Sequence, residues 1–138
     1  ATVMLLIMRR QEIAMPVPTP SESRAIRRLQ QASVQCLKAV LPDLFGRLMV
    51  QVGGADVVAA GEAGSMMPVI TFDRPPTPGV SAWTDCHCLP LSEGVADAVL
   101  LPFTLLDSPA PMQIIREVDR VLNDRGRMVV LSLSPWAR

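Results

Sequence analysis

The chain has no excess of charge of either sign. Thirteen basic and thirteen acidic side chains cancel, so no long-range field attracts a phosphate backbone or an anionic membrane surface. We therefore expect neither a nucleic-acid partner nor a membrane partner. The apolar residues 1–8 are fewer than the roughly 20 that a membrane helix needs, and no basic segment precedes them. This predicts neither a signal peptide nor a transmembrane span.

Cysteine and histidine are also scarce. Cys36, Cys86 and Cys88 lack the paired spacing of a disulfide framework, which favours reduced thiols and predicts a cytoplasmic protein. His87 is the single histidine, and in an extended chain it points away from the two neighbouring thiols. Because the sequence offers no second pair of ligands, we expect no metal site. One histidine without a nucleophile-elbow motif also argues against a serine or cysteine nucleophile triad.

Hydrophobic residues make up 49% of the 138 residues, enough for the core of one compact domain. Pro16, Pro18 and Pro20 alternate with other residues and predict an extended linker. We therefore divide the chain into an N-terminal extension with a Pro-rich linker, residues 1–20, and an α/β domain, residues 21–138. Two interpretations of residues 1–8 remain: an edge strand or helix packed on the body, or a segment that binds a partner.

The hydrophobic pattern within the domain alternates between helix and strand. Apolar positions at helical spacing begin after Ser21 and continue to Leu44, where Pro42 and Gly46 close an amphipathic helix. Later elements follow in this order: a strand over residues 48–52, a short helix over residues 55–64, a strand over residues 69–72, a loop over residues 75–79, an irregular strand over residues 81–86, a strand over residues 96–101, a helix starting at Ser108 and Pro109 and ending near Asn123, a turn over residues 123–126 and a last strand over residues 127–133.

This alternation predicts the fold class. Strands separated by helices form a parallel sheet with helices on its faces. We therefore expect an α/β protein with a Rossmann-like, open, mostly parallel sheet. Between Asp73 and Val80 the chain is too short for an ordinary crossover helix, so one helix should be missing there.

The residues that follow the predicted strands are candidates for a nucleotide-type site. Ligands of open parallel sheets lie at the carboxyl ends of the strands. Gly53 and Gly54 follow the first strand, and Asp73 follows the second, 19 residues after Gly54. Glycines let the backbone approach a ligand, and a carboxylate at that distance can accept hydrogen bonds from ribose hydroxyls. The alternatives are an ordinary turn for the glycines and a solvated loop carboxylate for Asp73.

Three downstream segments carry a family resemblance. They are Asp85 to Leu91 (DCHCLPL), Asp97 to Leu101 (DAVLL) and Arg116 to Leu122 (REVDRVL), the last followed by Gly126 and Arg127. In this order they resemble the class I S-adenosylmethionine-dependent methyltransferases of the small-molecule type, methyltransferase type 11-like. The step Leu101-Pro102-Phe103 and the turn at Pro135 are similar to a proteobacterial branch of that family.

The resemblance implies roles for particular residues. Asp85 would bind the adenine amino group with the Cys86 backbone beside it, and Asp73 would bind the ribose. Gly53 and Gly54 would form the cofactor loop. The chain from Leu101 through Pro102 and Phe103 would face the methionine end of the cofactor and a small acceptor. The resemblance supplies no catalytic base, and positioning beside a reactive sulfonium supplies much of the catalysis in such enzymes.

The sequence departs from that pattern in two ways. Gln51 stands where the wider family commonly has an acidic residue, and Asp56 adds a charge beside a degenerate glycine loop. The chain also stops after the fifth predicted strand of the domain, whereas the family usually continues through two more. An apolar last strand at an edge pairs readily with another chain, so we expect a homodimer, a partner chain on this strand, or a shortened form. A non-catalytic interaction or structural subunit is the alternative to an enzyme.

Overall fold

The computed structural model describes residues 2–8, 13–18, 25–106 and 108–134, which form a single sheet with helices on both faces and the loops that connect them. The seven strands lie in the order β2-β1-β7-β6-β3-β4-β5. The elements are β1 (Thr2–Met8), β2 (Ile13–Pro18), α1 (Ala25–Lys38), a 3₁₀ helix (Leu41–Asp43), β3 (Met49–Val52), β4 (Val69–Asp73), β5 (Ala82–Trp83), β6 (Ala96–Pro102), α2 (Pro111–Val121) and β7 (Leu122–Ser134).

The five strands from β3 to β7 are parallel. β3 pairs with both β4 and β6, β5 pairs with β4, and β7 pairs with β6. The carboxyl ends of these strands therefore lie at the same edge of the sheet. The prediction of a Rossmann-like, open, mostly parallel sheet is confirmed. The connection from β4 to β5 is a loop, as its length requires.

Alternation along the strands divides the core into two layers. On one face Met49, Leu100 and Leu131 pack with the buried side of α1. On the other face Val50 and Leu101 pack with buried residues of α2. Side chains of successive strand residues point to opposite faces. The nearly continuous apolar runs of β3, β6 and β7 therefore supply both layers, which is typical of a parallel sheet covered on both sides.

The N-terminal strands lie beside β7. β1 pairs antiparallel with β7 from Thr2↔Ser134 to Met8↔Met128, and β2 pairs antiparallel with β1. The expectation that the last strand is a sheet edge was therefore wrong. Of the two interpretations of residues 1–8, a strand packed on the body describes Thr2–Met8, although β1 lies between β2 and β7 and not at the edge of the sheet. Residues 13–18, assigned to the linker from their prolines, form the outermost strand β2; proline within a sheet is largely confined to such edge strands.

One predicted helix does not form, and another ends earlier than predicted. The helix expected over residues 55–64 is replaced by turns, because the Gln51 side chain takes a backbone carbonyl and a backbone amide of this segment, at Val58 and Ala60. The first helix, predicted from Ser21 to Leu44, is α1 (Ala25–Lys38); it ends before Pro42 and is followed by the 3₁₀ helix Leu41–Asp43. The predicted residues 21–24 lie outside the described ones.

The turn predicted over residues 123–126 is an irregularity within β7. Ala96 pairs with Leu122 and Ala98 with Arg127, so the β7 side of this pairing carries the extra residues. Asp97 stabilises the region, because its carboxylate accepts hydrogen bonds from the Asn123 side chain at 2.6 Å and from the backbone of Arg47 at 2.6 Å. Burial raises the pKa of Asp97, but these hydrogen bonds outweigh it and the net shift is downward.

Candidate functional site

A cleft of about 540 Å³ opens at the carboxyl ends of β3, β4 and β6. Its size falls within the range of small-molecule sites. Of the predicted site residues, Gly53, Gly54, Asp73, Cys86, Pro102 and Phe103 line it. Asp85 and Leu101 are not among the lining residues. The cleft therefore lies at the strand ends, and six of the eight predicted site residues line it.

The glycine turn after β3 requires residues without a side chain. Gly53 has φ 77° and Gly54 has φ 64°, in the left-handed region that favours glycine. A Cβ on Gly54 would lie 2.3 Å from the Pro102 carbonyl oxygen, so the loop and the end of β6 are in close contact. The two glycines therefore form one wall of the cleft with backbone atoms.

Gln51 holds this loop from inside the core. Its side chain is fully buried, and its amide nitrogen donates to the carbonyl oxygens of Gly53 at 3.2 Å and Val58 at 2.8 Å. Its side-chain oxygen accepts from the Ala60 amide at 2.9 Å. A buried amide that satisfies two acceptors and one donor is stabilising and specific in geometry. Gln51, which stands where the wider family commonly has an acidic residue, therefore organises the glycine loop in this chain.

Asp73 links the loop to the neighbouring strand. It is 8% exposed, and its two carboxylate oxygens accept hydrogen bonds from the amides of Ala55 at 3.1 Å and Arg74 at 2.7 Å. A carboxylate has about four lone-pair positions, so acceptor capacity remains on the side that lines the cleft. The alternative of a solvated loop carboxylate does not describe this residue, because it is buried.

Asp85 does not line the cleft and contacts His87, which does. Its Oδ1 atom lies 2.9 Å from the His87 backbone nitrogen and 2.7 Å from Nδ1 of the ring. The pKa of Asp85 is lowered first by the backbone N–H of His87 and then by the His87 side chain. The other ring nitrogen, Nε2, lies 2.6 Å from Oγ of Ser108. The sequence argued against a nucleophile triad, yet the fold places His87 beside a serine 21 positions away in the chain.

Cys86 occupies the cleft as a buried thiol. Burial raises its pKa to about 11, with a further contribution from the nearby Asp73 carboxylate. The thiol is therefore protonated at neutral pH and is a weak nucleophile. Within the described residues no group of three or more His, Cys, Asp and Glu side chains could hold a metal ion.

Residues at the end of β6 differ in their surroundings: one lies in the core, and the next two line the cleft. Leu101 is fully buried in the core on the α2 side, which corrects its assignment to the site. Pro102 and Phe103 line the cleft. Phe103 has φ 61°, an uncommon conformation for a bulky residue, and its amide donates to the Leu131 carbonyl at 2.9 Å. Such strained positions often occur at functional sites.

Sequence reasoning missed a charged pair that holds the loop after His87. Glu117 and Arg120 of α2 form an ion pair at 2.6 Å. Arg120 donates to the carbonyls of Leu91 at 2.9 Å and Leu89 at 3.1 Å, and Glu117 accepts from the Leu89 amide. Their spacing of three on a helix was the available signal.

Replacing Glu117 with Gln should lower stability by about 1–3 kcal/mol at pH 7, because hydrogen bonds to a charged group are lost. The Arg120 side chain lowers the pKa of Glu117. The stabilisation that ionised Glu117 provides is therefore complete above the unfolded-state pKa of about 4.3 and is lost as pH falls through the folded-state pKa. Urea unfolding should show the difference between wild type and Glu117→Gln shrinking toward pH 3.

The matched control for this experiment is Glu62→Gln, at an exposed glutamate. It should change stability by less than about 0.5 kcal/mol at either pH. A wild-type advantage over Glu117→Gln that stays constant between pH 7 and pH 3 would contradict a charge-dependent clamp.

The elements around the cleft are similar to those of a known protein family. Residues 68–130 match the model of a family described as a methyltransferase domain. The matched segment is 63 of the 138 residues, so the chain is similar to this family over somewhat less than half of its length. The matched residues run from the start of β4 into β7 as far as Val130, and they include Asp73 and the Glu117–Arg120 pair. A search of curated proteins found no significant match.

Solved structures share the fold at low sequence identity. A methyltransferase described as dependent on S-adenosylmethionine, from Aquifex aeolicus, has a TM-score of 0.61 at 16% identity, over 86% of this chain and 77% of that one. A Bacillus halodurans protein assigned as a methyltransferase has a TM-score of 0.60 at 19% identity, over 75% of this chain and 52% of that one.

A third similar structure is a chain from a Haloferax volcanii complex between the Trm112 methyltransferase activator and a protein assigned as a methyltransferase. Its TM-score is 0.59 at 18% identity, over 76% of this chain and 53% of that one. This chain therefore spans about half the length of two of the three similar structures. At these identities the similarity establishes the fold.

Proposed function

We propose that this protein binds S-adenosylmethionine in the cleft and transfers its methyl group to a small acceptor. The observation that carries the proposal is the contact between the glycine turn and Asp73, made through the Ala55 amide at the carboxyl edge of the sheet. This hydrogen bond places the backbone of the glycine turn and the buried Asp73 carboxylate side by side in the cleft. The match to a methyltransferase domain supports this use of the cleft.

The residues present fit the adenosine portion of that cofactor. The Asp73 carboxylate has lone pairs left for ribose hydroxyls, and its bonds to two backbone amides fix its orientation. Gly53 and Gly54 let the ligand approach the backbone closely. The Cys86 thiol adds an uncharged surface to the same cleft. When bound, the cofactor would supply an electrophilic methyl group on a sulfonium.

The acceptor would lie toward the end of β6. Pro102 and Phe103 present apolar surface there, and the hydrogen bond from the Phe103 amide to the Leu131 carbonyl holds Phe103 in place. Their part in this proposal is to exclude water and to orient the acceptor, and positioning of reacting groups accounts for large rate effects in enzymes. Asp85 could bind the adenine amino group only if its carboxylate released His87. We therefore expect Asp73 to contribute more to cofactor affinity than Asp85.

Calorimetric titration with S-adenosylhomocysteine and S-adenosylmethionine tests the proposal. The wild-type chain should bind both and gain thermal stability in proportion to their concentration. Asp73→Asn should weaken binding by about 10-fold or more, because a hydrogen bond to a charged acceptor contributes about 1.5–3 kcal/mol. Asp85→Ala should weaken binding less than Asp73→Asn.

Folded wild-type protein that shows neither heat nor thermal stabilisation would overturn the proposal. That result would favour a non-catalytic interaction or structural subunit, which the Gln51 loop and the orientation of Asp85 support. The partner of such a subunit is less easily placed on β7 than the sequence implied, because β1 already covers the side of β7 that faces away from β6. Sedimentation analysis of the full chain distinguishes a homodimer from a monomer.

A further inference from the structure

Three polar residues of the cleft region form a continuous hydrogen-bonded chain. Asp85 Oδ1 lies 2.7 Å from Nδ1 of His87, and Nε2 of His87 lies 2.6 Å from Oγ of Ser108. His87 and Ser108 line the cleft of about 540 Å³, whereas Asp85 lies outside it. A carboxylate, an imidazole and a hydroxyl in this order are the groups that activate a serine in acyl transfer.

The hydrogen bonds determine which atom carries each proton. Asp85 also accepts the backbone N–H of His87, which fixes the carboxylate beside Nδ1. A carboxylate accepts only, so Nδ1 carries the ring proton and Nε2 of the neutral ring is an acceptor. The Ser108 hydroxyl must then donate to Nε2. The Ala110 amide donates to the same hydroxyl oxygen at 3.0 Å, and this contact favours negative charge developing on that atom.

We propose that Ser108 is an activated nucleophile toward small activated esters, with His87 as its base and Asp85 as a positioning residue. In the first step Oγ of Ser108 bonds to the carbonyl carbon of the ester and its proton passes to Nε2 of His87. The ester C–O bond breaks, and the leaving alcohol takes that proton. Water then hydrolyses the acyl-serine, releasing the carboxylic acid and restoring the hydroxyl. This activity needs no bound methyl donor.

The test uses diisopropyl fluorophosphate on the full chain, followed by mass spectrometry. Oγ of Ser108 should bond to phosphorus, fluoride should leave, and the hydroxyl proton should reach solvent through His87. The expected result is one adduct, located on Ser108 by peptide fragmentation. His87→Gln should slow its formation by at least about 10²-fold, the usual contribution of a positioned base. Asp85→Asn should slow it by about 10-fold or more, because an amide no longer fixes the tautomer.

Two serine variants separate activation from general reactivity. Ser108→Ala should abolish the adduct, whereas Ser92→Ala, at an exposed serine, should leave the rate unchanged. Thermal unfolding verifies that each variant is folded, and His87→Gln decides the matter if Ser108→Ala does not fold. The proposal is overturned if folded wild-type protein forms no adduct, if the adduct lies on another residue, or if His87→Gln reacts at the wild-type rate.

Discussion

Gly54→Ala should destabilise the protein by roughly 2–5 kcal/mol and abolish ligand binding in the cleft. Two effects add. Gly54 has φ 64°, and a left-handed conformation costs a residue with a Cβ about 1–2 kcal/mol. The new Cβ would also lie 2.3 Å from the Pro102 carbonyl oxygen, and relieving such a contact by moving backbone costs about 1–3 kcal/mol. Urea unfolding measures the sum.

Two other glycines provide matched controls. Gly79 has φ 74° with nothing near its Cβ position, so Gly79→Ala should cost only the conformational part, about 1–2 kcal/mol. Gly61 also has open space there and no positive φ, so Gly61→Ala should change stability by less than about 0.5 kcal/mol. If Gly54→Ala costs no more than Gly79→Ala, the close approach of the loop to β6 is not a constraint.

Gln51→Glu should destabilise the protein by about 3–5 kcal/mol at neutral pH, although it is nearly isosteric. A buried carboxylate would face the carbonyl oxygens of Gly53 and Val58, which now accept from the amide nitrogen. A protonated carboxyl can donate to one of them, so the folded-state pKa of this residue should be raised. With a raised pKa its destabilisation is least below the unfolded pKa of about 4.3 and grows as pH rises toward the folded value.

The control for this substitution is Gln113→Glu, at an exposed position of α2. It should change stability by less than about 0.5 kcal/mol between pH 4 and pH 8. Urea unfolding over that range measures both variants. If Gln51→Glu is as stable as wild type at pH 7, the amide does not organise the glycine loop, and the family's acidic residue would serve equally well at this position.

The sequence predicted the site residues that directly follow parallel strands. It did not predict the contacts that side chains of different loops make with each other. Gly53 and Asp73 follow apolar runs whose carboxyl ends meet at one edge, so their proximity follows from the parallel sheet. The His87–Ser108 contact joins two loops, and no local pattern encodes it. Asp85 was given a cofactor role by resemblance, yet its carboxylate is bound by the His87 amide and ring and does not line the cleft.

Periodicity in the sequence determined the parallel strands, both helical faces and the strand-end position of the cleft, because burial on two sides demands continuous apolar runs and amphipathic helices. Only the tertiary structure decided what lies beside β7 and what happens to residues 55–64. The pairing of β1 with β7 joins opposite ends of the chain, and the Gln51 side chain competes with helical hydrogen bonds at Val58 and Ala60. Both are long-range or side-chain contacts, which local propensity does not contain.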